Sequence, residues 1–191
     1  MNIVDRVKRL LLAPDPEWSV IAAESATLGG LITGYVLPVA ALGAIGSLVG
    51  SVLWLGGFGL GVVVRVAVIG VVTSIVGVVV LSVVIDALAP TFGAAKSSTS
   101  AAKVAAYSPT PVWIGGFFQI IPYLGSLIAF IGGIYSLYLL YLGLMRVMKS
   151  SQDKAVGYTV VVVVIEIVVG FVASYITTTF IGIGPMIRIG Y

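Results

Sequence analysis

Apolar residues fall into five long runs, separated by short segments rich in glycine, proline or polar residues. A run of about 18 or more apolar residues is long enough to cross the hydrocarbon core of a bilayer as a helix. The second run is rich in valine and isoleucine, but its length favours a membrane helix over a strand. The pattern predicts an all-α polytopic membrane protein, in which residues 29–181 form a bundle of five transmembrane helices. The spans are expected at about residues 29–53, 60–85, 104–121, 126–148 and 158–181.

Residues 1–28 precede the first span and contain an amphipathic stretch from residue 3 to residue 12. At about 100° per residue its apolar side chains fall within an arc of about 120°, and its charged side chains lie opposite. Such a helix either lies in the membrane interface with its basic face toward anionic headgroups, or packs as a solvated helix on the protein's own cytosolic face. The apolar residues are Ile3, Val4, Val7, Leu10 and Leu11, and the charged ones are Asp5, Arg6, Lys8 and Arg9.

Composition narrows the function classes. Hydrophobic residues make up 60% of the chain and charged residues only 9%, with a mean hydropathy of +1.20, whereas soluble domains carry about 25% charged residues. With no cysteine and no histidine, disulfides, thiolate or imidazole metal sites and histidine-dependent catalytic triads are excluded. No hydrolase, protease or nucleotide-binding motif is present. We therefore expect no enzyme activity, no cofactor, no metal site and, at a net charge of +3 without a basic aromatic patch, no nucleic acid partner.

The distribution of basic residues predicts the topology. With the N-terminus in the cytoplasm, the loops near residues 54–59 and 122–125 lie outside and contain no Lys or Arg. The positive-inside rule then places the N-terminus in the cytoplasm and residues 182–191 outside as a short tail. The first span is expected to be retained, because no short apolar region directly follows a basic start. The residues expected near the inner lipid headgroups are Arg6, Lys8, Arg9, Lys96 and Lys103.

Glu166 lies within an apolar run, where an unpaired carboxylate costs at least a few kcal/mol. It is either a proton, cation or ligand-binding site inside the bundle, or a structural residue that fixes helix packing. Arg65 is a second charge within a span, and we expect it to extend to the outer interface rather than pair with Glu166. The stripe of Tyr135, Tyr138 and Tyr141 either lines a polar cavity and donates hydrogen bonds to Glu166, or packs as an aromatic stripe. Small residues on the other side of this helix predict close helix packing.

The polar segment between the second and third spans contains two proline motifs. In DALAPTFG, Asp86 opposes the helix dipole at the end of the span and should have a partner: Lys103, the Thr110 hydroxyl or the amides of residues 91–93. Pro90 and Gly93 are expected to turn the chain out of the membrane. In the second motif, Tyr107, Thr110 and Pro111 lie where prolines break the third span. A broken helix can form an ion or substrate site, or simply a kink.

Four stretches together resemble the Ypt-interacting-protein (Yip) family in its prokaryotic branch: APDPEWSVIAAE (13–24), DALAPTFG (86–93), AYSPTPVW (106–113) and YSLYLLYLGL (135–144). The resemblance implies a five-helix bundle with a cytosolic N-terminus, and transfers no catalytic residue. Eukaryotic members act in vesicle trafficking and associate with small GTPases and with one another. This sequence lacks their long polar N-terminal region, which argues against small-GTPase binding.

Two functions follow as hypotheses. The first is a non-enzymatic integral membrane protein, in a prokaryotic cytoplasmic membrane, that organises the bilayer or protein partners, with a homo-oligomer or other membrane proteins as candidates. The alternative is a small transporter or channel that uses Glu166 for proton or cation coupling.

Overall fold

The computed structural model describes residues 2–54 and 60–181, and these residues form helices joined by short turns, with no strand among them. The protein is an all-α polytopic membrane protein, as the sequence predicts. Its helices are α1 (Ile3–Leu12), α2 (Pro14–Ala23), α3 (Leu28–Leu31), α4 (Leu37–Trp54), α5 (Leu60–Leu88), α6 (Ser98–Tyr107), α7 (Thr110–Phe117), α8 (Leu124–Arg146) and α9 (Gln152–Ile181). Residues 182–191, predicted as an external tail, lie outside the described residues.

Four helical segments are long and apolar enough to cross a membrane, by length and composition: Leu28–Trp54, Gly61–Phe92, Leu124–Arg146 and Gln152–Tyr175. They match the predicted first, second, fourth and fifth spans. Pro38 lies within the first span and cannot donate a backbone hydrogen bond. A π-helical turn at Ile32–Val36 precedes it and accommodates this change in the helix.

The third predicted span, 104–121, is not one continuous helix. It consists of α6 and α7, separated at residues 108–109, and a 3-10 turn at Phe118–Ile120. Pro109 and Pro111 both lack the backbone N–H that would continue the hydrogen-bond ladder through this point. The break predicted at these prolines is therefore present, and it divides the predicted third span into two short helices. That this segment crosses the membrane stays a prediction.

Helix α7 lies between α4 and α8 at backbone contact. A Cβ placed on Gly46 of α4 would lie 2.3 Å from the Cα of Phe117, and one on Gly132 of α8 would lie 2.5 Å from the carbonyl oxygen of Pro111. Only glycine fits where two helix backbones approach this closely. The close packing predicted for the small-residue side of the fourth span is confirmed.

The most deeply buried side chains gather at the N-terminal side of the bundle, where α1 and α2 pack against the spans. Apolar side chains along α5, α8 and α9 are largely exposed, which suits helices that face lipid. The fully buried core residues include Leu10, Trp18, Ile21, Ile85, Val104, Leu139, Leu144 and Met148.

Candidate functional site

Arg6 is the centre of a buried ionic cluster. Its guanidinium contacts Glu17 at 2.6 Å and Glu24 at 2.5 Å, and Arg9 contacts the second oxygen of Glu17 at 2.9 Å. Arg6 is 5% exposed and Glu17 is 2% exposed. A buried carboxylate and guanidinium each lose hydration, so each is tolerated only because the other compensates its charge. The pairs fix α1 to α2 and to the residue that ends α2.

Aromatic rings cover the other side of the guanidinium. The Cζ of Arg6 lies 5.3 Å from the centroid of the Tyr107 ring, within the range of a cation–π interaction. Tyr35 packs edge-on against Tyr107 with centroids 4.5 Å apart, and Trp18 does so at 6.3 Å. The cluster therefore joins α1 and α2 to the first span and to α6.

The break between α6 and α7 supplies a hydroxyl to this cluster. The Tyr107 carbonyl would accept from the amide of residue 111 in a continuous helix, but residue 111 is proline. The Thr110 hydroxyl donates to that carbonyl at 2.6 Å. Because this uses the only hydroxyl proton of Thr110, the Tyr35 hydroxyl must donate to Thr110, over 2.9 Å. The proline break thus creates the polar contact that ties the first span to α7.

Lys103 lies at the edge of the same region. It is 5% exposed, and its ammonium donates to the Ala22 carbonyl at 3.1 Å. Burial lowers the pKa of Lys103, and the nearby charge of Glu24 opposes that effect.

A cavity of about 500 Å³ opens beside the cluster. Arg6, Glu24, Tyr35 and Tyr107 line it, together with residues at the start of the first span. These groups can bind a polar group through hydrogen bonds or through an aromatic face.

The residues predicted to line a transport route do not come together. The Tyr135 hydroxyl donates to the carbonyl of Leu11 at 3.0 Å and not to Glu166, which disfavours the alternative in which the tyrosine stripe serves that carboxylate. Tyr138 is 46% exposed, and Tyr141 packs against the core. Glu166 is half-buried on α9, and its Oε1 is buried without a hydrogen-bond partner among the described residues. Arg65 is exposed, and no ion pair joins it to Glu166 within the described part of the chain.

The partners predicted for Asp86 are also wrong in part. The Thr110 hydroxyl is hydrogen-bonded to the Tyr35 hydroxyl and the Tyr107 carbonyl, and the Lys103 ammonium donates to the Ala22 carbonyl. Within residues 2–54 and 60–181, Asp86 Oδ1 is buried without a hydrogen-bond partner.

The predicted turn after the second span is present. Pro90 lies in a 3-10 turn at Ala89–Phe92, and Gly93 follows with a φ of 69°, a left-handed conformation that glycine adopts readily. Phe92 stacks on Tyr158 at 4.7 Å between centroids. This motif therefore packs the end of the second span against the start of α9.

The lipid-headgroup prediction is wrong for Arg6 and Lys103, because both side chains are buried within the protein. Lys8 and Lys96 are exposed, and the Arg9 side chain is 47% exposed, so for these three residues contact with the headgroups stays a prediction.

Sequence reasoning missed Glu17 and Glu24 as site residues. The available signal was their spacing of about two helical turns on one face, opposite a basic amphipathic helix.

The cluster uses three of the four stretches quoted for the family resemblance. Glu17, Trp18 and Glu24 come from the first, Tyr107 and Thr110 from the third, and Gly143 of the last makes room for Trp18, since a Cβ there would lie 3.1 Å from its ring. No curated protein and no solved structure matches the chain significantly. A family model described as the Yip1 domain matches residues 8–174. This match covers most of the 191 residues, so the chain belongs to the Yip family of membrane proteins.

Proposed function

We propose that this Yip-family protein is non-enzymatic and organises the bilayer or protein partners within the membrane. The observation that carries the proposal is the buried Arg6 cluster, in which family stretches far apart in sequence fix α1 and α2 to the membrane bundle. The groups of this cluster hold helices together, whereas the residues expected along a transport route, Glu166 and the tyrosine stripe, are not hydrogen-bonded to one another in the described part of the chain.

Partners are proposed from the exposed apolar surface. Phe130 on α8 is 68% exposed, and Phe171 on α9 is 74% exposed. Side chains of this size face either acyl chains or another membrane protein, including a second copy. The charge distribution supports a cytoplasmic N-terminus and an external C-terminus, with Lys8, Arg9 and Lys96 near the inner headgroups. The proposed membrane is a prokaryotic cytoplasmic membrane, from the family resemblance. Small GTPases are not part of this proposal.

A small transporter or channel is the second candidate, and Glu166 is the observation that favours it. Among the described residues, Glu166 Oε1 has no hydrogen-bond partner. An unpaired carboxylate inside a membrane costs a few kcal/mol, and such residues often mark proton or ion pathways. The same oxygen is compatible with a protonated residue that only fixes the position of α9.

Flux through proteoliposomes separates the two candidates. The purified protein, its Glu166→Gln variant and Arg65→Gln as a matched loss of a charge within a span are compared under an imposed proton or cation gradient. We expect all three to match protein-free vesicles, because the residues needed for a route are not assembled. Flux that persists in Arg65→Gln and disappears in a folded Glu166→Gln protein would establish the transporter and reject the proposal.

A further inference from the structure

The C-terminal end of α1 lies against a membrane-spanning helix. A hydrogen bond joins the Leu11 carbonyl to Tyr135 in the middle of α8, while Asp15, just after the corner, pairs with Arg146 at the end of that helix. Tyr135 lies three helical turns before Arg146, or about 16 Å at a rise of about 1.5 Å per residue. The neighbouring side chains Ile134 and Tyr138 are 56% and 46% exposed on the outside of the same span.

One carbonyl at this end is satisfied by a side chain of the membrane bundle. The last carbonyls of a helix have no partner within the helix and need a donor from elsewhere. The Tyr135 hydroxyl supplies that donor to the carbonyl of Leu11. Leu12 is 83% exposed, and a leucine with this exposure is more stable among acyl chains than in water.

We infer that the corner between α1 and α2, residues 11–14, inserts into the bilayer and contacts the acyl chains of the leaflet on the N-terminal side. The N-terminal half of α1, with Asp5 and Lys8 exposed, remains at the headgroup surface. The Arg6 cluster holds α1 in this tilted position, since it anchors the middle of the helix to the bundle. The contact is independent of the proposed partner-organising function.

Spin labelling tests this insertion, because the sequence contains no cysteine and each single-cysteine variant carries one label. Leu12→Cys and the matched control Asp5→Cys, both exposed positions of α1, are reconstituted as single copies in nanodiscs of phosphatidylcholine and phosphatidylglycerol. Collision rates with oxygen, which concentrates in hydrocarbon, and with a water-soluble nickel chelate report depth. We expect oxygen to dominate at position 12 and the nickel chelate to dominate at position 5.

Adding Tyr135→Phe to the Leu12→Cys variant should shift the label toward the nickel chelate, since the hydrogen bond that holds α1 at this depth is lost. Nickel accessibility at position 12 equal to that at position 5 would overturn the insertion. A label at position 12 shielded from both reagents would also overturn it, because protein rather than lipid would then cover the corner.

Discussion

Gly132→Ala is expected to lower the free energy of unfolding by about 1–3 kcal/mol, the usual cost of overpacking. The added methyl would lie 2.5 Å from the carbonyl oxygen of Pro111 and 3.0 Å from its carbonyl carbon. These are backbone atoms of α7, which is held on its other side by the glycines of α4. Helices α7 and α8 must therefore separate or shift. Unfolding free energy in a mild detergent, measured by denaturant titration, gives the size of the loss.

Gly133→Ala is the matched control, since it is the next residue of α8 and a Cβ there meets nothing within 4 Å. Alanine favours a helix over glycine by up to about 1 kcal/mol, so this variant should be neutral or slightly more stable. Equal effects of the two substitutions would contradict the backbone contact between α7 and α8.

Arg6→Met is the second change with a large expected effect. It leaves the carboxylate of Glu17, which is 2% exposed, without its closest cation. Removing one member of a buried ion pair typically costs about 3–5 kcal/mol. The loss should fall near the lower end of that range, because Arg9 still contacts Glu17 and the Glu24 side chain is 39% exposed. Thermal unfolding followed by tryptophan fluorescence measures it, with Trp18 close to the cluster.

Two comparisons separate the ionic contribution from packing. Glu17→Gln and Glu24→Gln, added to Arg6→Met, should restore much of the stability, since a neutral set of buried groups avoids the uncompensated charge. Arg146→Met breaks an exposed pair with Asp15, whose side chains are 46% and 49% exposed, and should cost less than about 1 kcal/mol. A loss in Arg6→Met no larger than in Arg146→Met would refute the buried cluster.

The bundle could be predicted from the sequence because bilayer thickness sets the length of an apolar helix. Four of the five predicted spans appear as long helices. The ends of the third span could not be predicted from bilayer thickness, because α6 and α7 are each too short to cross a bilayer and are separated at two prolines. The prolines predicted a break, but nothing local showed that Thr110 would satisfy the carbonyl that Pro111 leaves without a donor.

The Arg6 cluster was hidden because helical periodicity treats every charged side chain as exposed. Arg6 lies about 40° from Leu10 around α1 at about 100° per residue, and both are buried. Its burial depends on carboxylates of α2 and on Tyr107, about 100 residues later in the chain. Long-range contacts of this kind do not appear in local patterns. For Glu166, the apolar surroundings were visible in the sequence, while its neighbours were not.

Site-specific photocrosslinking in native membranes tests the partner-organising role most directly. Benzoylphenylalanine replaces Phe130 or Phe171, which face outward from α8 and α9. In a control it replaces Phe92, which is partly buried and stacks on Tyr158. The account predicts a discrete protein adduct, with a second copy or one defined membrane protein, at an outward position and none at position 92. Lipid adducts alone at both outward positions would contradict a role in organising protein partners.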